Sequence, residues 1–399
     1  MKSGYKRLGN YIRLLDERNR DLEVKTLLGV SIRKMLIPSI ANVVGTDMST
    51  YKIIKKNQFA YGTVTSRNGD KISIALLKEF DKAIVSQVYL VFEVIDKELL
   101  LPDYLMMWFR RPEFDRYARF KSHGSARETF DWAEMLETEL PIPSLEKQKE
   151  VIAEYEVIEN RVQLNKKLCA TLEETAQTIY KHWFEDFEFP VQSKSDPELV
   201  EGYKSSGGEM VECEELGKEI PVGWRVDNLG TICENFDSKR IPLSSFERKD
   251  LNKIYPYYGA SSILDYVDRY LFDGTYILLG EDGTVITENG TPILQYVVGK
   301  FWVNNHAHVL KATNNFTEES LYLFLKNKNI TNKITGAVQL KINQANLLSI
   351  RMIIPNNNII SNFNIIAEII FKKNQNLKDQ IEKLEELESL LLGKMAVED

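Results

Sequence analysis

EVIAEYEVIENRVQLNKKLCATLEETAQTIYKHW, residues 150–183, places side chains in steps of four and three at Val151, Tyr155, Ile158, Val162, Asn165, Cys169, Leu172, Ala176, Ile179 and Trp183. That alternation keeps one stripe in line along a helix and is a heptad seam. A second seam of matching length follows Pro355, through Phe363, Ile366, Ile370, Lys373, Leu377, Gln380, Leu384, Leu387 and Leu391. Asn165, Lys373 and Gln380 weaken packing in these seams but fix register, as polar core positions do in coiled coils. At 1.5 Å per residue, 33 residues span roughly 50 Å. One stripe alone reads equally well as an ordinary core helix. Two of equal length suit each other, antiparallel, as a coiled-coil strut between two globular parts.

The stretches before the two seams are related. Gly124, Ser125, Ala126, Arg127 is mirrored by Gly336, Ala337, Val338, Gln339; Met135, Leu136 by Leu347, Leu348; and Pro143 by Pro355, all at an offset of 212 residues. Upstream, residues 101–109 resemble 318–325 in looser register. The chain reads as two diverged copies of one unit, a pseudo-twofold internal repeat. Its expected parts are a globular region 1–143, a helix 144–188, a linker 189–223, a second globular region 224–355 and a helix 356–399. Pro190, Pro197, Gly202, Gly207, Gly208 and Pro221 interrupt the linker. The globular regions read as mixed α and β, an α+β class. Strand-like runs are 72–77, 84–94, 276–279, 293–298 and 308–311. Turn pairs at Asn68-Gly69, Asp273-Gly274, Asp282-Gly283 and Asn289-Gly290 separate them.

Composition frames these parts. Among 399 residues, 43% are hydrophobic and 27% charged, which excludes a disordered or fibrous chain. No run of about 18 apolar residues occurs and the first residues lack a signal peptide's apolar stretch, so no membrane is expected and the cytoplasm is. Cys169, Cys213 and Cys233 are few and dispersed, giving neither a disulfide framework nor a zinc ribbon. The net charge of -7 is unevenly spread: +4 over 1–140 and +2 over 236–356, but -10 over 141–235 and -3 over 357–399. The acid lies in the helical and linker segments, leaving the globular stretches free to present basic faces to phosphate.

Catalytic signatures are missing. There is no phosphate-binding Gly-x-x-x-x-Gly-Lys loop, no Gly-x-Gly-x-x-Gly fingerprint and no Asn-Pro-Pro-Tyr or Asp-Pro-Pro-Tyr sequence of an amino-methyltransferase. His306 and His308, spaced to share a strand face, are open to three readings: a metal pair without an evident third ligand, a structural pair, or a DNA contact. Polar loops are the candidate readers of base edges and phosphates. Ser66, Arg67 and Asn68 form a basic turn, alternatively a solvated hairpin. Tyr257, Tyr258 and Ser261 belong to an aromatic loop, alternatively a packing element. Arg127 and Gln339 follow the repeated glycine and match guanine and adenine respectively, with helix capping as the other reading. Ser125 and Lys341 flank them.

Gly29 to Lys34 with Pro38 to Asn42, Phe59-Ala60-Tyr61, and Gly124 to Trp132 resemble the first target recognition domain of type I restriction-modification specificity subunits. Tyr257-Tyr258-Gly259-Ala260-Ser261, Leu271 to Gly274, Gly280 to Gly283 and Asn304 to His308 resemble a second such domain, and Tyr180 to Phe184 with Asp186-Phe187 resembles the end of the central helix. The resemblance covers nearly the whole chain. It implies two target recognition domains, each reading half of an asymmetric bipartite DNA site, separated by the two antiparallel helices. It adds DNA contacts at Ser31, Arg33, Lys34, Asn305, His306 and His308. Two modification subunits and then restriction subunits are the implied partners, besides double-stranded DNA. These would supply S-adenosylmethionine, ATP and magnesium chemistry, with no cofactor in this chain. The alternatives are a self-contained endonuclease or methyltransferase, which needs a catalytic block, and a coiled-coil protein without DNA function, which leaves the repeat unexplained.

Overall fold

The offset of 212 residues continues into three dimensions. In a computed structural model, which describes residues 4–39, 45–66, 68–69, 71–124, 127–193, 195–196, 198–336 and 338–396, Trp132–Leu136 and Gln344–Leu348 are short helices at that spacing. Asp131 and Asn343 cap them, each side-chain oxygen accepting from the third helical N–H, of Glu134 and Asn346. Strands beginning at Glu139 and Arg351 follow, then helices Leu145–Phe184 and Asn357–Lys394, each start again 212 apart. The chain forms two compact units, Met1–Asn165 with Asp379–Asp399, and Lys166–Lys378.

The first unit holds two four-stranded sheets. One is antiparallel, in the order Ile12–Leu15, Leu90–Val94, Gln58–Gly62, Ser73–Leu76. The other runs Leu36–Pro38, Leu27–Val30, Lys82–Val85, Lys52–Lys55, with one parallel pair. The expected strand 84–94 is therefore two strands in different sheets, because the polar Ser86-Gln87 pair sits in a turn closed by Tyr89 N–H to the Ser86 carbonyl. Phe59 stacks on Phe92 at 4.7 Å and Phe109 meets both edge-on. In this unit the two long helices run antiparallel: Tyr155 donates to Glu388 (2.6 Å) and Asn165 to Gln380 (3.3 Å).

The second unit is built on one six-stranded sheet, ordered Cys233–Asn235, Ala307–Ala312, Phe272–Gly280, Leu294–Val303, Tyr255–Tyr258, Ile263–Val267. Ile277 and Leu279 enter one apolar core while Tyr276 and Leu278 enter another. Both faces are covered, which is why this strand reads as a continuous apolar run. Asp273-Gly274, expected as a turn, lies inside Phe272–Gly280. Gly274 pairs with Gly299, both at positive φ, so two residues without Cβ meet across the ladder. The expected linker 189–223 carries two hairpins, Pro190–Gln192 with Val200–Gly202 and Met210–Cys213 with Lys218–Pro221, and Phe189, Ile220 and Trp224 join the core.

Every first-seam position is buried or half-buried. The second seam runs one residue out of the expected phase at alternate positions. Phe363, Ala367, Ile370, Asn374 and Leu377 face inward in the second unit, and Ile381, Leu384, Glu388 and Leu391 in the first. Lys373, Gln380 and Leu387 are exposed, because Asn374, not Lys373, meets the other helix by donating to the Cys169 carbonyl (3.4 Å). Among the described residues no helix is long and apolar enough to cross a membrane.

Candidate nucleic-acid interface

In the first unit three loops are stitched together. The loop that begins at Gly124 closes on itself through the bridge His123–Thr129 and joins the chain at Val64 through Val64–Thr129. Thr65 N–H donates to Glu128, and Phe130 N–H to Thr63. Next to it, Asn68 donates to the Val64 carbonyl (3.0 Å) and Ser73 Oγ (3.1 Å), so it holds its own turn, while Ser66 is exposed. In the third loop Ser31 Oγ accepts from the Arg33 N–H (3.1 Å), and Arg33 is exposed.

Lys34 is a correction. Its side chain is buried, donating to the Phe109 carbonyl and to Asp115 Oδ2 at 2.8 Å, and it does not reach a groove. Burial lowers the pKa of its ammonium, although Asp115 pulls the other way. Asp115 in turn accepts from the Ile72 N–H (3.1 Å), tying this loop to the strand after Asn68. Arg67 and Ser125 lie outside the described residues; Arg127 is exposed.

In the second unit one loop cluster gathers the candidates. Asn304 N–H donates to Tyr258, Glu281 N–H to His306, Gly283 N–H to Leu340, and Ile342 N–H to Glu281. Ser261, Asn305, His306, Gln339 and Lys341 are the exposed members. Tyr257 is a second correction: it is buried, its hydroxyl accepting from the Leu243 N–H (2.9 Å) and donating to the Leu243 carbonyl. Strand alternation turns it into a core with Val267 and Trp302. Tyr258 is half-buried against the Phe301 ring.

The histidines part company, because the strand begins at Ala307. His306 is exposed and donates from Nδ1 to Asp282 (2.6 Å). His308 is 1% exposed, its Nδ1 2.5 Å from Asp237 and its Nε2 2.9 Å from the Ile342 carbonyl, so it is turned inward rather than presented at the surface as a DNA contact. Asp237, Glu281 and His308 bring their ligand atoms within 4.8 Å of one another, a set that could hold a metal ion. The chain's own cations already meet that charge. Arg240 lies 2.7 Å from Glu281 and 3.4 Å from Asp237, and Lys341 reaches Glu281 at 3.2 Å. Burial pushes both carboxyls up, but His308 beside Asp237, and Arg240, His308 and Lys341 around Glu281, outweigh it and hold both below their ordinary range. This network fixes the loops that carry Asn305 and Lys341. Sequence reasoning missed Asp237 and Arg240; nothing local marks them, since their partners lie about 40 to 70 residues away.

The model of the type I restriction modification DNA specificity domain matches residues 39–174 and again 221–390. The chain belongs to that family. The two matched segments follow the two copies of the repeat. A putative type I restriction enzyme specificity subunit, S.HindORF215P of Haemophilus influenzae, is 36% identical over 143 residues, which are 36% of this chain and 35% of that protein's length. The MjaIX specificity subunit of Methanocaldococcus jannaschii is 24% identical over 320 residues, 76% of this chain and 70% of that one. The crystal structure of a type I restriction-modification S subunit from M. genitalium shares the family fold at a TM-score of 0.58, with 14% identity over 98% of this chain and 95% of that one.

Proposed function

We propose that this chain is the non-catalytic, DNA-reading subunit of a type I restriction-modification system, each unit meeting one half of an asymmetric, interrupted site in double-stranded DNA. One observation carries the reading: a frame that keeps one spacing from the repeated glycine to the long helix is joined to sheets that differ in strand number and order, two four-stranded in one copy and one six-stranded in the other. A common frame with divergent bodies suits a protein that presents two different readers in the same way. The proposed contacts are the exposed loop residues Ser66, Arg33 and Arg127 in one unit and Ser261, Asn305, His306, Gln339 and Lys341 in the other, with Ser31 and Asn68 shaping their loops. Arg67 and Ser125 belong to the same loops in sequence.

The partners proposed are two modification subunits and the restriction subunits, in the cytoplasm. S-adenosylmethionine, ATP and magnesium would be bound by them rather than by this chain. Methylome sequencing of cells carrying the modification subunit, with and without this chain, tests the reading. The expected result is one interrupted, asymmetric adenine-methylation motif that needs the chain. A continuous motif, or methylation that persists without the chain, would contradict it.

A further inference from the structure

The loops at Gly124 and Gly336 lie in the part of the repeat that has not diverged. Helices Pro102–Arg110 and Glu318–Lys326, upstream of the loops, have slid to an offset of 216. From the two glycines onward the spacing stays at 212, beginning with bridges His123–Thr129 and Thr335–Lys341. Both glycines have positive φ, +128° and +91°, and a Cβ on either would fall 2.4 or 2.1 Å from the carbonyl oxygen of Arg127 or Gln339. In each unit the carbonyl three residues past the glycine therefore packs against it, which puts the residue bearing that carbonyl at an equivalent place. An exposed long side chain with N–H donors occupies it, Arg127 in one copy and Gln339 in the other. Among the described residues neither side chain makes a hydrogen bond or ion pair within the fold, and Val338 beside Gln339 is wholly exposed at 102%.

Readers of two different half-sites should diverge with the sheets around them, whereas a contact to what both half-sites share should keep its frame. What every half-site shares is the sugar-phosphate backbone. Arg and Gln both donate to phosphate oxygens, and a phosphate accepts either, while bases separate them. A partner protein is the poorer fit: Arg127-Glu128 and Gln339-Leu340 share no apolar anchor. We infer that Arg127 and Gln339 are equivalent phosphate-contacting residues that seat the two units on DNA without reading sequence.

The inference rests on the DNA-reading proposal above. It is tested with the complex of this chain and its modification subunit, on a cognate duplex and on duplexes altered in either half-site. Arg127→Ala and Gln339→Ala are expected to weaken binding about tenfold on all of them alike. The slope of log affinity against log salt should fall by about 1 for Arg127→Ala and stay unchanged for Gln339→Ala. The exchange Arg127→Gln with Gln339→Arg should leave the methylation motif unaltered. A changed base in the motif would make these residues base readers and overturn the inference. So would unchanged affinities, or loss of the modification subunit with DNA contact intact. If the unaltered complex yields no interrupted motif, the DNA-reading proposal falls and takes this inference with it; variants that leave affinity unchanged remove the inference alone.

Discussion

Lys34 and Asp115 show how far a residue's role depends on a partner the local sequence does not reveal. Next to Arg33, Lys34 reads as half of a basic surface pair, but Asp115, 81 residues on, draws it inside. Removing one member of a buried pair strands the other charge, at a cost of about 3–5 kcal/mol, whereas replacing both by apolar groups is close to neutral. Asp115→Ala should therefore lower the urea midpoint steeply, and Lys34→Met with Asp115→Leu should restore only part of it, because the Ile72 N–H and the Phe109 carbonyl lose these side-chain partners. The network in the other unit responds to pH instead. Asp237 and Glu281 titrate lower folded than unfolded, so the stability they contribute is complete above about pH 4.5, the ordinary carboxylate range. It drains away as pH falls further, because the unfolded chain then takes up protons first. Unfolding measured across acid pH should show a shallower loss for Asp237→Asn than for the unaltered chain. Burial is what the sequence withheld at this scale: His308 and Tyr257 carry the right chemistry for DNA and point it inward.

Elements were legible wherever a spacing had to be conserved along the chain. The repeated glycines, the short segments at Met135 and Leu347 and the prolines before the long helices all keep one offset, and the seam of Leu145–Phe184 needs only its own periodicity. The second seam slipped because exposed Ile365, Ile369 and Leu390 blur the stripe; only the facing helix selects Asn374 over Lys373. Strands in the sheets gave weaker signals, being short and set by pairing between distant segments. Two consequences can be measured. Gly124→Ala and Gly336→Ala should each destabilise their unit by about 2–3 kcal/mol, combining left-handed backbone with a carbonyl clash. Gly69→Ala, at φ +62° with open space around it, should cost about 1 kcal/mol, all read from urea unfolding. Asn165 is fully buried and its Oδ1 has no hydrogen-bond partner among the described residues. An unsatisfied buried acceptor costs about 1–3 kcal/mol, so Asn165→Leu should raise the melting temperature while loosening the register that the Gln380 contact sets.

At the scale of the whole molecule, the repeat divides what is shared from what is free to vary. From the repeated glycine to the long helix the frame recurs at one spacing, while the sheets upstream of it differ. If sequence is read by those divergent bodies and the frame only positions them, the two halves of the recognised motif should be separable. Replacing residues 1–143 with the corresponding region of another family member is expected to change one half of the methylation motif and leave the other half as it was; replacing 224–355 should do the converse. The mildly basic balance of both segments, against the acid of the helical and linker stretches, implies that either exchange keeps general affinity for DNA while altering which bases are preferred. Methylome sequencing of the two chimeras decides the matter. A motif altered in both halves by one exchange would mean that the units read jointly, and the repeat would then reflect assembly rather than two independent readers.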